Sequence, residues 1–406
     1  MKNFQASKGE PTLSANAVLI VLAALFFVAG LIASQNDLLN PLLKHTFSLR
    51  HTESALIQFV YYGVFVLLAI PLGKLAEGIG YRRCLRLGLF TASAGAILFW
   101  FAAQAGTFGF FLLGIMVIAT GNATLVILGN PYLSIISPPG QSAQRLNLVN
   151  GFYMVGTTLG PILGNVAYVP QVKAQGIAQI GLPYLGLAAL LVLFGFAMLR
   201  LQLPSTKLLL HPKKASKAVS SFSLFKDKRL LFGIITMFVY VGAEVGAASK
   251  LIDWLMQEEI MHLDQEGAGR YLAIYWGLTM AVRFVAAALM RSIRAVYFLT
   301  TFAVLGLVLV LFAVTGSGYP AGYALILLGI ANAVMFPTIF ALSTQHLGEH
   351  TQKGSSFIMM AVSGGAIIPI VIGSLTDAYG LRVGLGFLLL CYGIILAFGL
   401  HVMKEK

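Results

Sequence analysis

Gly73-Lys-Leu-Ala-Glu77-Gly-Ile-Gly80-Tyr-Arg82-Arg83 is a short polar link between the apolar stretches 54–77 and 84–104. Glycine permits a tight turn and lets two helices approach closely. The acid and the arginines are placed to form a charge network at a membrane surface, one that latches a conformation and breaks in another. The plainer alternative is a basic loop that follows the positive-inside rule. Both readings make this a connection between two membrane helices.

Outward from that link the chain reads the same way. About twelve apolar stretches of roughly 20 residues, the length that crosses a bilayer, run through it. They lie near 16–43, 54–77, 84–104, 107–137, 145–168 and 181–201, then 230–260, 270–290, 295–315, 319–347, 354–377 and 381–402. Of 406 residues, 58% are hydrophobic and 10% charged, and the mean hydropathy is +0.86. A soluble core needs far less apolar surface. Strands of alternating polarity are absent, which argues against an outer-membrane barrel.

The second half repeats the first at an offset of about 207 residues, the mark of an internally duplicated transporter. Asp37 pairs with Glu244, Pro131 with Pro337, and Pro161 with Pro369. The expected domains are therefore a six-helix half over 1–203, a basic linker over 204–229, and a second six-helix half over 230–406. Prolines 131, 161, 337 and 369 lie within spans, where each removes a helical hydrogen bond and bends its helix. Bends at matching places suit either cavity-lining helices or ordinary packing kinks.

A net charge of +13 would suggest nucleic acid in a soluble protein. Here Lys and Arg gather at the N-terminus, Lys74 to Arg86, Arg145, Lys207 to Arg229, Arg291 to Arg294, Lys353 and the C-terminus. Roughly 20 basic residues on one side against about 5 on the other put both termini in the cytoplasm. No basic stretch interleaves with aromatics as a nucleic-acid groove would require. Cys84 and Cys391 imply no disulfide framework and no metal site. The first helix carries no small-residue cleavage site and reads as a retained span.

Intramembrane charges are the strongest functional pointers, because each costs several kcal/mol unless it is paired or hydrated. Asp37, in Gln35-Asn36-Asp37-Leu-Leu-Asn40-Pro41, is a candidate proton carrier or a helix brace. Glu244 is its repeat-mate, equally placed for function or packing. Lys250 and Asp253 share a helical face at i, i+3 and fit an internal ion pair. Arg283 needs a partner, with a structural one favoured over a ligand. A polyhydroxyl ligand calls for amides, carboxylates and aromatic faces. Gln58 and Tyr62 are i, i+4, Asn147 and Asn150 are i, i+3, and Asn130, Asn332 and Phe336 flank the kinks. Trp254, Tyr275 and Trp276 are placed toward the outer side.

The 73–83 link has the G-x-x-x-(D/E)-x-x-G-x-R-R spacing of the major facilitator superfamily. Further stretches resemble its fucose-galactose-glucose:cation symporters. They are Asn36 to Pro41, Gln58 to Gly63, Asn130-Pro131-Tyr132, Arg145-Leu-Asn147-Leu, Val241 to Val245, Tyr275-Trp276-Gly277, Asn332 to Phe340, Ser355-Ser356 and Gly364 to Pro369. The resemblance spans nearly the whole chain outside the tails and linker. It implies a twelve-helix, all-α membrane protein of two six-helix halves in the bacterial inner membrane. It implies monomeric, proton-coupled (or Na+-coupled) monosaccharide uptake by alternating access, with no cofactor and no enzymatic step.

By the same resemblance Asp37 matches the family's membrane acid, and Gly73, Glu77, Gly80, Arg82, Arg83 and Arg145 match its gating positions. Departures fall on the site itself. Val126 stands where fucose-transporting members have glutamate and glucose/galactose members glutamine. Asn150 replaces a glutamine and Tyr153 an asparagine. Lys250 replaces an apolar or small residue and Asp253 an asparagine. A changed substrate, or a changed coupling through Lys250, is the corresponding expectation. An efflux antiporter for apolar compounds is the alternative, a non-transporting sensor a further one. A membrane-embedded enzyme lacks a metal-ligand cluster or a nucleophile–base pair to stand on.

Overall fold

The structure is a computed structural model that describes residues 15–49, 51–138, 140–201, 203–204 and 226–405. All regular elements among these residues are helices. In the first half they are α1 (Ala15–Thr46), α2 (His51–Ile79), α3 (Tyr81–Ala105), α4 (Phe108–Ile136), α5 (Ser142–Ala167), a short α6 (Val169–Gln175) and α7 (Gly181–Arg200). In the second half they are α8 (Lys228–Met256), α9 (Gln265–Leu289), α10 (Ala295–Thr315), α11 (Gly318–Asn332), α12 (Met335–Thr344), α13 (Thr351–Met360), α14 (Gly364–Tyr379) and α15 (Leu381–Lys404). Among the described residues 11 spans are long and apolar enough to cross a membrane, with α11–α12 and α13–α14 each forming one of them. The twelfth expected crossing is α5, 26 residues long. Its first turns carry Gln144, Arg145, Asn147 and Asn150.

The chain divides into two compact units. Unit 1 takes Met1–Ile136 and Phe152–Ala215; unit 2 takes Ser137–Gly151 and Ser216–Lys406. The division between them runs through α5 at Gly151, and falls at Ala215 within the basic linker.

Unit 1 is built on a seam of small residues. Lipid tails are as apolar as leucine, so helices associate by close packing of small side chains. Gly88, Ala92 and Gly95 of α3 recur at helical spacing and face Thr124, Gly121 and Ile118 of α4. Phe99 of α3 stacks on Tyr184 of α7 with ring centroids 4.4 Å apart. Helix α5 closes on α1 where Gly156 meets the Phe27 carbonyl and Gly30 the Tyr153 carbonyl.

Unit 2 repeats that last contact. Gly364 of α14 meets the Phe238 carbonyl of α8, and Gly242 of α8 meets Ile368 of α14. At the start of α8, Asp227 is the N-cap, its Oδ1 accepting from the Leu230 N–H at 2.9 Å. Its Oδ2 lies 2.8 Å from His346 Nε2, just past α12. Burial pushes the Asp227 carboxyl up, but the Leu230 N–H and His346 outweigh it and hold the group below its usual range. Near the other end of α8, Arg382 donates to the Gly316 carbonyl at 2.7 Å and lies over the buried Trp254 ring.

The repeat halves differ at their matching prolines. Helix α4 stays continuous through Pro131. The corresponding span breaks at Ala333–Val334, before Pro337, to give α11 and α12. Likewise α5 runs through Pro161, whereas a 3-10 turn at Ala361–Ser363 separates α13 from α14.

Candidate functional site

The break between α11 and α12 organises the polar core of unit 2. Asn332 is fully buried there. Its Nδ2 donates to Tyr275 Oη of α9 at 2.7 Å, and its Oδ1 accepts from Tyr392 Oη of α15 at 2.6 Å. Its backbone carbonyl accepts from Tyr240 Oη of α8 at 3.1 Å. Next to it, Arg283 Nε of α9 donates to the Ala333 carbonyl at 2.6 Å. Glu244 is half-buried on α8, within interacting range of the Tyr240 hydroxyl and the Arg283 guanidinium. A buried cation among fixed dipoles and one carboxylate is tolerated at membrane depth.

The candidate residues sort by burial. The amides of Asn130, Asn147, Asn150 and Asn332 are all enclosed. Asn130 Nδ2 donates to the Val126 carbonyl at 3.0 Å and Asn150 Nδ2 to the Leu146 carbonyl at 2.9 Å. Asn147, in the part of α5 that belongs to unit 2, reaches Thr338 Oγ1 at 3.2 Å and Met290 Sδ at 3.5 Å. In this conformation these four amides are enclosed and bonded to backbone carbonyls and neighbouring side chains, while Asn147 Oδ1 has no hydrogen-bond partner among the described residues.

The half-buried candidates are Tyr62, Val126, Tyr153, Glu244 and Phe336. Val126 and Phe336 are the partly open positions within otherwise closed stretches of α4 and α12. Lys250 Nζ and Asp253 Oδ2 lie 3.5 Å apart, the ion pair that i, i+3 spacing anticipates. Trp254 is enclosed and donates to the Ala321 carbonyl, so it is a packing residue. The side chains of Asn36, Asp37 and Gln58 lie outside the described residues.

A narrow cavity in unit 1, lined by Gln35, Tyr61, Phe99 and Tyr184 with α1 and α4 aliphatics, has 10 Å³ for water. That is about the room one water needs. Nearby, Tyr168 Oη donates to Gln35 Oε1 at 2.8 Å and Asn122 Nδ2 to Tyr61 Oη at 2.6 Å.

Comparison with known proteins decides the family. Residues 21–369 match the Major Facilitator Superfamily. The chain belongs to the major facilitator superfamily. A Helicobacter pylori relative is 37% identical over 400 residues, covering 95% of this chain and 96% of its own. A "Glucose/galactose transporter" of Brucella abortus is 34% identical over 389 residues, covering 95% and 93%. The "L-fucose-proton symporter" of Escherichia coli is 28% identical, covering 89% and 87%. Among solved structures, the major facilitator transporter FucP in its outward conformation superposes with a TM-score of 0.84 at 26% identity, covering 95% and 98%. This superfamily member is accordingly a multi-pass membrane transporter and not an enzyme.

The superfamily's signature link forms a minimal turn. Gly73 and Glu77 lie in α2, Tyr81 starts α3, and Gly80 between them has φ of 89°, the left-handed region that glycine adopts without strain. Arg82 donates to the Leu199 carbonyl at the end of α7, at 3.1 Å. Glu77 and Arg83 are exposed, and among the described residues Glu77 forms no ion pair. The expected acid–arginine network is thus replaced, in this conformation, by an arginine capping a helix end. Arg145 is half-buried in the unit 2 part of α5.

Sequence reasoning passed over Thr279, which donates to the Gly329 carbonyl at 2.8 Å, and Tyr392. Neither has a local signal in the chain, because each bonds a partner 50 or 60 residues away on another helix.

Proposed function

We propose that this protein imports a hexose of the glucose or galactose type together with a proton, by alternating access, across the inner membrane of a bacterium. The observation that carries the reading is the near full-length likeness to the glucose/galactose transporter, closer than that to the fucose symporter. Val126 departs from both groups, having neither the carboxylate of fucose-transporting members nor the glutamine of glucose/galactose members, and does not choose between them. In unit 2, half-buried Phe336 offers an aromatic face of the kind a sugar's C–H surface takes and Glu244 an acceptor for hydroxyls; in unit 1, half-buried Tyr62 and Tyr153 offer aromatic faces of their own. The chain works as a monomer with both termini in the cytoplasm.

Asp37 and Glu244 are the coupling acids. A proton drives transport only through differential stabilisation of two conformations. Protonation removes a charge that disfavours one of them. Arg82, Arg83, Glu77 and Arg145 gate the change at the cytoplasmic surface.

The test is uptake of labelled glucose, galactose and fucose into proteoliposomes under an imposed pH gradient, with Asp37→Asn alongside. Gradient-driven glucose or galactose uptake is expected, lost in the variant while equilibrium exchange persists. Folded protein that moves none of the three sugars rules the reading out.

A further inference from the structure

Pro337 has no N–H, so the Ala333 carbonyl one turn earlier loses its helical donor. Arg283 supplies the replacement from α9, at 2.6 Å. The adjacent Asn332 carbonyl accepts from Tyr240 of α8. Both donors belong equally to the surroundings of Glu244. Tyr240 lies one turn before it on the same helical face, and Arg283 is within electrostatic range from α9 without closing to an ion pair. The other titratable groups around Glu244 are Tyr275 of α9 and Tyr392 of α15, whose hydroxyls are engaged by Asn332. Arg283 itself is 4% exposed.

We propose that Arg283 is a positioning residue that links the charge on Glu244 to the α11–α12 break, and so to half-open Phe336 beside it. With Glu244 ionised, the guanidinium is drawn toward a counter-charge while its Nε–H holds the Ala333 carbonyl. With Glu244 protonated, the buried cation has only backbone and side-chain dipoles, and its hold on the break tightens. Arginine suits the task because it stays charged while one N–H of its planar group holds the carbonyl. This rests on the reading of Glu244 as a coupling acid.

Linkage is reciprocal: if the charge on Glu244 alters the break, altering the break moves the titration of Glu244. Intrinsic tryptophan fluorescence of the purified full-length protein, titrated with pH, reads this without any sugar. Trp276, edge-on to Tyr275 at 5.1 Å, reports from the cluster. A pH-dependent component is expected in the wild type and absent in Glu244→Gln. In Arg283→Gln, whose amide still reaches the Ala333 carbonyl without a charge, its midpoint moves by about one pH unit or more. Pro337→Ala returns an N–H to that carbonyl, leaves the charge in place, and also moves the midpoint.

Midpoints unchanged in both variants, in protein of wild-type melting behaviour, make Arg283 a brace and overturn the proposal. If Arg283→Gln does not fold, Pro337→Ala decides alone. A flat wild-type titration, or a component that survives Glu244→Gln, removes the coupling role of Glu244 and this link with it. Sugar uptake, measured separately, is untouched by that result.

Discussion

Asn332 and Val126 show how one candidate list divides once burial is known. Asn332 is enclosed and holds two tyrosine hydroxyls. Asn332→Ala leaves them without their partner, at about 1–3 kcal/mol for each buried group unmatched. A lowered melting temperature, with transport falling alongside it, is expected by thermal-shift assay. Val126 is half-open on α4, so Val126→Gln leaves the melting temperature unchanged. An added amide there lowers the KM for glucose about threefold to tenfold, the worth of one modest hydrogen bond. An unchanged KM would remove position 126 from the sugar site. Lys250 and Asp253 pair at 3.5 Å with Asp253 largely exposed, and exposed pairs contribute at most about 1 kcal/mol. Lys250→Ala is expected to alter neither melting nor the pH dependence of uptake.

At the scale of elements, glycines decide which helices touch. A side chain at Gly364 collides with the Phe238 carbonyl, backbone that cannot rotate away. Gly364→Val therefore destabilises by about 1–3 kcal/mol, the usual cost of overpacking. Gly373, on the same helix, has nothing within 4 Å, and Gly373→Ala serves as the silent control in the same melting series. Equal losses in the two variants would refute close packing as the reason. Proline alone does not set a break: α4 tolerates Pro131 unbroken while α11 and α12 part before Pro337. In unit 2, Arg283 and Tyr240 reach the freed backbone, which makes an open break affordable at membrane depth.

For the whole molecule, charge and pH give the tests. Asp227 caps α8 and contacts His346, and its carboxyl is held below the usual range. A group lowered in the folded state stabilises above its unfolded range, and that gain is lost as pH falls through the lower folded value. The melting gap between wild type and Asp227→Asn is accordingly widest near neutral pH and closes on acidification. A gap constant with pH would contradict the sign. Orientation is tested at Ser292, exposed between α9 and α10. Both native cysteines are buried, so Ser292→Cys adds the accessible thiol. An impermeant maleimide is expected to label it in inverted vesicles and not in right-side-out ones.

Twelve spans, the two-fold repeat, the turn at Gly80 and the family were all legible in the chain. Each depends on local periodicity, on residue types a bilayer demands, or on spacing within one stretch. The outer limits of the spans followed to within a few residues, but not the breaks inside 319–347 and 354–377 or the short α6. What each polar side chain does was not legible. Asn332, Asn147 and Phe336 look alike as candidates along the sequence, yet two are consumed by partners over 50 residues away and one stays half-open. Arg283 found its acceptor in a carbonyl orphaned by a proline on another helix. Only tertiary packing settles such choices. Hydrogen bonds in a low-dielectric interior are assigned by which groups meet, and helices distant in the chain decide that meeting.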